Sequence, residues 1–271
     1  MLQAADVTFA YGDRRVIDGL SVRIDDGELV GLVGPNGSGK TTLFRLIAGA
    51  LRPDSGRIQL DGLDVGAIGG RERARRLAVV PQETVLTFDY SALELVLMGR
   101  YPHLGAFEVE GPEDLAAAHA AMEATGTAEF ADRAFTTLSG GEKQRVVIAS
   151  ALAQLDAAER TVGARRSALG VAAQEPRAKS REPSCLLLLD EPTASLDLRY
   201  QLEVASLLRR LHEERGMTIL LSTHDLRLAE SICTRVILLS HGRLLADGRP
   251  ADVLTPKMIG ELFELGAAFL R

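Results

Sequence analysis

Apolar positions recur along the chain in two rhythms. "DVTFAY" and "RRVIDGLSVRI" alternate apolar with polar residues and are separated by polar turn residues, which predicts antiparallel strands. "GELVGLVG", "CLLLLDE" and "TILLSTHD" are instead short continuous apolar runs, the mark of strands buried on both faces of a parallel sheet. "SGRIQLDG" and "RLAVVPQ" add two more strands, and "RVILLSHGRLLADG" predicts a closing hairpin with His241 and Gly242 in its turn. Between these strands, "LFRLIAGALRP" has the spacing of an apolar-faced helix stopped near Pro53, and "EKQRVVIASALAQ" is helical as well. Residues 87 to 137, with "SALELVLMGR" and "PEDLAAAHAAMEATG", are rich in Ala and Leu at helical spacing and poor in strand signal. The expected fold class is α/β: one domain over 1–271, with a core and an antiparallel β subdomain drawn from about 1–86 and 138–271, a helical subdomain inserted at 87–137, and a surface insertion at 155–184.

Composition narrows the partners. The 271 residues include 37 acidic and 31 basic ones, a net charge of −6, so no global basic field would draw nucleic acid or an anionic membrane surface. The two cysteines, Cys185 and Cys233, sit far apart in apolar surroundings without metal-ligand spacing, as expected of reduced, buried thiols in a cytosolic protein. No apolar run reaches the roughly 18 residues of a membrane span, and "MLQAADVTFA" does not have the form of a signal peptide, so membrane association is expected through a partner.

The chemistry begins at "VGPNGSGKTTLF". Gly34, Gly39, Lys40 and Thr41 match G-x-x-x-x-G-K-[ST], in which glycines let successive backbone N–H groups turn inward around phosphate oxygens. Pro35, Asn36, Gly37, Ser38 and Thr42 complete the candidate ATP-binding loop. Lys40 supplies a point charge for the terminal phosphates and Thr41 a hydroxyl for Mg²⁺, while the following helix aims its positive end at the same anion. The core is therefore expected to be that of a phosphate-loop NTPase. Asp190 and Glu191 end a run of four leucines, and a carboxylate there needs a cation: Asp190 is the candidate Mg²⁺ ligand, and Glu191 the general base that activates water. "LSGGEKQR" puts Ser139, Gly140 and Gly141 at a second helix start able to face an anion.

With these motifs in this order, the sequence resembles the ATPase subunit of ATP-binding cassette transporters. The resemblance implies that Ser139, Gly140 and Gly141 complete the ATP site of a second copy in a head-to-tail dimer. It implies further that Tyr11 of "FAYG" stacks on adenine, that Gln82 of "VVPQ" is the Q-loop residue, shared between catalysis and the metal, that Asp197 of "SLD" is the D-loop residue, and that His224 of "STHD" is the switch histidine near the γ-phosphate. Glu142 stands where the family frequently has glutamine. "ELVLMGRYPHLG" resembles the subfamily that drives import of iron-siderophore complexes, haem and cobalamin. That implies transmembrane permease subunits as partners, a substrate-binding protein indirectly, and a peripheral place on the cytoplasmic face of the inner membrane. The "LDAAERTVGARRSALGVAAQEPRAKSREPS" stretch lengthens a junction that is short in most of the subfamily, and haem-importer ATPases tend to carry a shorter extension there, which favours haem. The permease is expected to dock around Phe88, Tyr90 and residues 97 to 101. A soluble ATPase of the same family acting in cofactor assembly is the alternative.

Overall fold

In the computed structural model, which describes residues 1–84, 88–155 and 185–265, the strands sort into two sheets. β1 (Leu2–Tyr11), β2 (Arg14–Ile24), β4 (Ser55–Leu60) and β5 (Leu63–Asp64) form an antiparallel sheet in the order β2-β1-β4-β5. β3 (Leu29–Val33), β6 (Leu77–Val80), β7 (Leu186–Asp190), β8 (Thr218–Thr223), β9 (Arg235–Ser240) and β10 (Arg243–Gly248) form the second, in the order β10-β9-β3-β8-β7-β6, parallel except for the β9–β10 hairpin.

Period-two alternation decides what each face of the larger sheet meets. Leu186 and Leu188 of β7 enter a core with Leu43 and Phe44 of α1 (Lys40–Ile47) and the inner face of the smaller sheet. Leu187 and Leu189 enter the other core, with α5 (Gly140–Leu155) and α6 (Leu198–Arg215). Both faces are covered, which is why this strand is apolar up to Asp190. By the same alternation Asp190 falls on the α1 face, two residues beyond Leu188.

Several elements depart from the expected bounds. β1 begins at Leu2, because a bulge between Ala4 and Val7, with Asp6 at φ 51°, interrupts the alternation that would have announced its first half. α1 ends at Ile47, short of Pro53, because Gly49 takes φ 68° and lets the amides of Ala50 and Leu51 turn back to the Arg45 carbonyl. α2 (Gly70–Arg76) buries no residue and so carries no apolar rhythm. α7 (Leu226–Ile232) precedes β9, and two proline-started turns, α8 (Pro250–Val253) and α9 (Pro256–Leu262), follow β10.

Between β6 and α5 the regular elements among the described residues are helical: α3 (Ala92–Met98), closed at its start by a Ser91–Glu94 capping box, α4 (Pro112–Thr125), and 3₁₀ turns at Ala128–Phe130 and Phe135–Thr137. They are held by a buried ion pair. Arg100 Nε lies 2.9 Å from Asp114 Oδ1 with 8% and 13% of the side chains exposed, and Arg100 Nη1 donates to the Ala153 carbonyl at 2.9 Å. The Gly111 amide, more than Arg100, holds the Asp114 carboxyl below its ordinary range, against the opposing effect of burial. A lowered folded pKa means that this stabilisation is complete above the ordinary carboxylate value and is lost as pH falls through the lowered one. Arg100→Ala removes the cation of the pair and leaves the Asp114 carboxylate the Gly111 amide. We expect a loss of about 3 kcal/mol, or roughly 6–12 °C in melting temperature by calorimetry, with a shallower acid limb than the parent chain.

Candidate functional site

The carboxyl ends of β3, β7 and β8 meet at one edge of the larger sheet, where parallel α/β folds place their ligands. After β3 the chain turns through Gly34, Pro35, Asn36, Gly37, Ser38 and Gly39 into α1. The rear of this loop is tight: a Cβ on Gly34 would lie 2.3 Å from the Leu239 carbonyl oxygen, and one on Gly39, at φ 108°, 2.8 Å from Ile17 Cδ1. Gly37, at φ 80°, meets open space. The loop is thus braced from behind and free in front. The Gly242 amide in the β9–β10 turn adds a bond to the Ser38 carbonyl at 2.9 Å.

Lys40, at the first position of α1, is only 5% exposed. Its ammonium donates to the carbonyls of Gly34 at 2.8 Å and Pro35 at 3.2 Å, and Nζ lies 3.4 Å from Glu191 Oε1. A buried ammonium needs such compensation. The other carboxylate oxygen of Glu191 lies 3.2 Å from His224 Nδ1, so one carboxylate links a buried cation to a histidine that is 55% exposed. Glu191 holds φ 48°, and its amide donates to the Ser222 carbonyl at 3.1 Å and to Ser222 Oγ at 3.0 Å, which pins the turn that carries it. Ser222 Oγ donates in turn to Asp190 Oδ1 at 2.5 Å.

A cavity of about 510 Å³ opens on this edge, lined by Tyr11, Arg14, Val16, Asn36, Gly37, Gly39, Lys40, Thr41, Thr42, Gln82 and Glu191. The residues fit a nucleoside triphosphate. An open cradle at Gly37 faces the cavity beside a buried ammonium, Ser38 Oγ is buried without a hydrogen-bond partner, and Tyr11 stands half-exposed at the rim, edge-on to Phe9 with ring centroids 4.9 Å apart. The donors also fit Mg²⁺, a hard cation that takes a carboxylate, a hydroxyl and phosphate oxygens: Asp190 and Thr41 are of that kind. Among the described residues no group of three or more His, Cys, Asp or Glu side chains could hold a metal by itself.

Sequence reasoning missed three contributors. Arg14 and Val16 come from β2, across the hairpin from Tyr11, and carry no motif. Ser222 lay in plain view within "STHD", but its service to Asp190 spans 32 residues and belongs to the pairing of β7 with β8.

Ser139, Gly140, Gly141 and Asp197 line no part of this cavity. Asp197 caps α6, and Ser139 precedes the first residue of α5. Glu142 has a local purpose: its Oε2 accepts from the Ser139 amide at 2.7 Å, while the Glu142 amide approaches Ser139 Oγ at 3.4 Å, a capping box that fixes the turn. The expected docking stretch is divided. Phe88 is 68% and Tyr101 55% exposed, but Leu97 and Met98 pack on the helical core, Gly99 is seated against the Ser150 carbonyl, and Arg100 is buried in its ion pair. The insertion assigned to 155–184 lies, from 156 onward, outside the described residues.

The model of a known family, described as ABC transporter, matches residues 17–157. The chain is 41% identical over 264 residues to the hemin import ATP-binding protein HmuV of Myxococcus xanthus (strain DK1622), covering 97% of this chain and 90% of that one. Among solved structures it resembles an inward-facing ABC transporter described as of the metal-chelate type, at a TM-score of 0.77 and 29% identity over 97% of this chain and 89% of the other. It also resembles the dimeric bacterial ABC transporter cassette MJ0796, at a TM-score of 0.72 and 26% identity over 92% and 99% of the two chains.

Proposed function

The chain belongs to the ABC transporter family, and from that premise we propose that it is the ATP-hydrolysing, energy-coupling subunit of a membrane importer for haem or a related metal chelate, such as a ferric siderophore or cobalamin. It works as a head-to-tail pair of copies beneath permease subunits, which receive substrate from a binding protein. Its place is peripheral, on the cytoplasmic face of the plasma membrane; no helix among the described residues is long and apolar enough to cross a membrane.

The observation that carries this function is that Lys40 and Glu191 line one cavity beside a glycine loop, with His224 in contact with the second oxygen of Glu191. Lys40 and the backbone N–H groups of residues 36 to 42 hold the phosphates, and Tyr11 stacks on the base. Asp190, oriented by Ser222, together with Thr41 and Gln82, holds Mg²⁺, which when bound offsets the phosphate charge. Glu191 accepts the proton of the attacking water, and His224 fixes the second oxygen of that carboxylate. Ser139, Gly140 and Gly141 supply helix-start amides to the nucleotide of the other copy, with Asp197 at the same junction.

Coupling to the permease is testable at the exposed part of the docking stretch. Met98 packs on the core, so a charge there would unsettle α3; Phe88 is free of that objection. Phe88→Asp should leave MgATP hydrolysis by the purified chain at the parent rate and reduce substrate uptake by the reconstituted transporter at least about tenfold, the weight of an apolar anchor buried at a contact. Uptake at the parent rate in a fully assembled complex would remove Phe88 from the docking surface, and a parent chain without MgATP hydrolysis would overturn the function itself.

A further inference from the structure

The turn that opens α5 lies against the turn that opens α6, and a glycine is the smaller half of the contact. A Cβ built on Gly141 would fall 2.2 Å from Tyr200 Cδ1, 2.4 Å from Cγ and 2.7 Å from Cβ, and one on Gly140 would fall 3.3 Å from Leu196 Cδ2. Contacts under 3.0 Å are essentially never made by a real Cβ, so position 141 is glycine because the Tyr200 ring fills its side-chain space. Gly141 is buried and Tyr200 half-buried.

The chain between Glu191 and Tyr200 is held by bonds of its own. The Ala194 amide donates to the Glu191 carbonyl at 3.0 Å, Ser195 holds φ 64°, and Gln201 Nε2, one residue beyond Tyr200, donates to the Leu196 carbonyl at 3.0 Å. A short, internally bonded run of chain therefore separates Glu191 from the ring that rests on Gly141.

We infer that Tyr200 is a positioning residue for ATP turnover: its ring sets the Gly141 backbone, so that the turn offered to the other copy's nucleotide follows the segment that carries Glu191. The inference rests on the function proposed above. It differs from the expectation that Gly141 is glycine only so that its backbone can approach a phosphate, and the two part company in a double-mutant cycle.

Gly141→Ala, Tyr200→Gly and the double variant of the full chain are compared in three measurements: melting temperature, affinity for a fluorescent ATP analogue, and kcat for MgATP. Glycine is needed at position 200 because the Tyr200 Cβ is itself only 2.7 Å from the added methyl. Gly141→Ala alone should lower the melting temperature by about 4 °C or more and kcat by about 10- to 10²-fold, with nucleotide affinity unchanged because the chain's own phosphate loop is untouched. In the Tyr200→Gly background the same substitution should cost nothing further in either melting temperature or kcat. Equal melting losses in both backgrounds would overturn the contact. Tyr200→Gly alone should lower kcat at unchanged nucleotide affinity, and parent kcat in that variant would overturn the positioning role; a further fall in kcat in the double variant without a further melting loss would return Gly141 to the phosphate, and a fall in nucleotide affinity that tracks kcat would overturn the role as general destabilisation. An inactive parent chain would instead sink the proposed function, with the melting cycle still deciding the contact.

Discussion

Glu191→Gln should trap two copies of the chain around ATP and lower turnover by about 10²–10⁴-fold, or roughly 3 to 5 kcal/mol in barrier. The amide keeps the shape of the side chain, so the turn pinned by Ser222 is undisturbed. It loses the ability to accept a proton. It also withdraws the negative charge that stands 3.4 Å from Lys40 Nζ, leaving the ammonium more of its field for a triphosphate. Binding should therefore survive or tighten while hydrolysis stops. Light scattering on the eluting protein with saturating MgATP should report the mass of a dimer, and the parent chain, which can hydrolyse and release, that of a monomer. A monomeric Glu191→Gln protein with ATP bound would contradict the role given to Glu191.

Ser139→Arg should also keep binding and lose turnover, but by blocking the pairing of copies that Glu191→Gln traps. Ser139 is the cap of α5, and Glu142 accepts from its backbone amide, a bond that any residue at 139 can make. Losing the hydroxyl costs about 1 kcal/mol of helix stability, which a chain of this size tolerates. The guanidinium arm, however, projects from the turn that must close on the other copy's nucleotide. Affinity of the isolated chain for an ATP analogue should stay at the parent value, because Ser139 lines no part of the cavity around Lys40. Turnover should fall on the order of 10²–10³-fold, the usual consequence of withdrawing amide donors from developing charge. Full ATPase activity would show that each chain hydrolyses alone and would end the shared-site description.

Charge supports the same division of labour. The glutamate beside Ser139 and the aspartate beside Arg100 both have carboxyls held low chiefly by a backbone amide, that of Ser139 for Glu142 and that of Gly111 for Asp114. Each fixes a turn and stays ionised while doing so. In both the stabilisation is present above the ordinary carboxylate range and lost as pH falls through the lowered folded value.

What the sequence by itself determined is the chemistry carried by neighbouring residues. Lys40 follows the glycine loop directly, Asp190 and Glu191 end an apolar run, and Ser139 precedes a helix, so each group and its local geometry arrive in one stretch. Most strands along the chain, the two-faced burial of "CLLLLDE" and the β9–β10 hairpin were likewise legible, because period and apolar run length are local consequences of the pleat. Only the tertiary structure decided which face meets which partner. Ser222 reaches Asp190 because β7 and β8 are neighbours in the sheet, Arg14 and Val16 reach the cavity because β2 lies beside the loop, and Arg100, which reads as surface, is buried because Asp114 and the Ala153 carbonyl receive it. The bulge in β1 and the early stop of α1 at Gly49 escaped for a related reason: a shifted register or a left-handed turn is a backbone choice, and a side-chain pattern does not record it. Gly141 shows both at once. Its place in "LSGGEKQR" marks a helix start, but the ring that requires it to be glycine comes from another helix, and that contact exists only when α5 and α6 pack against each other.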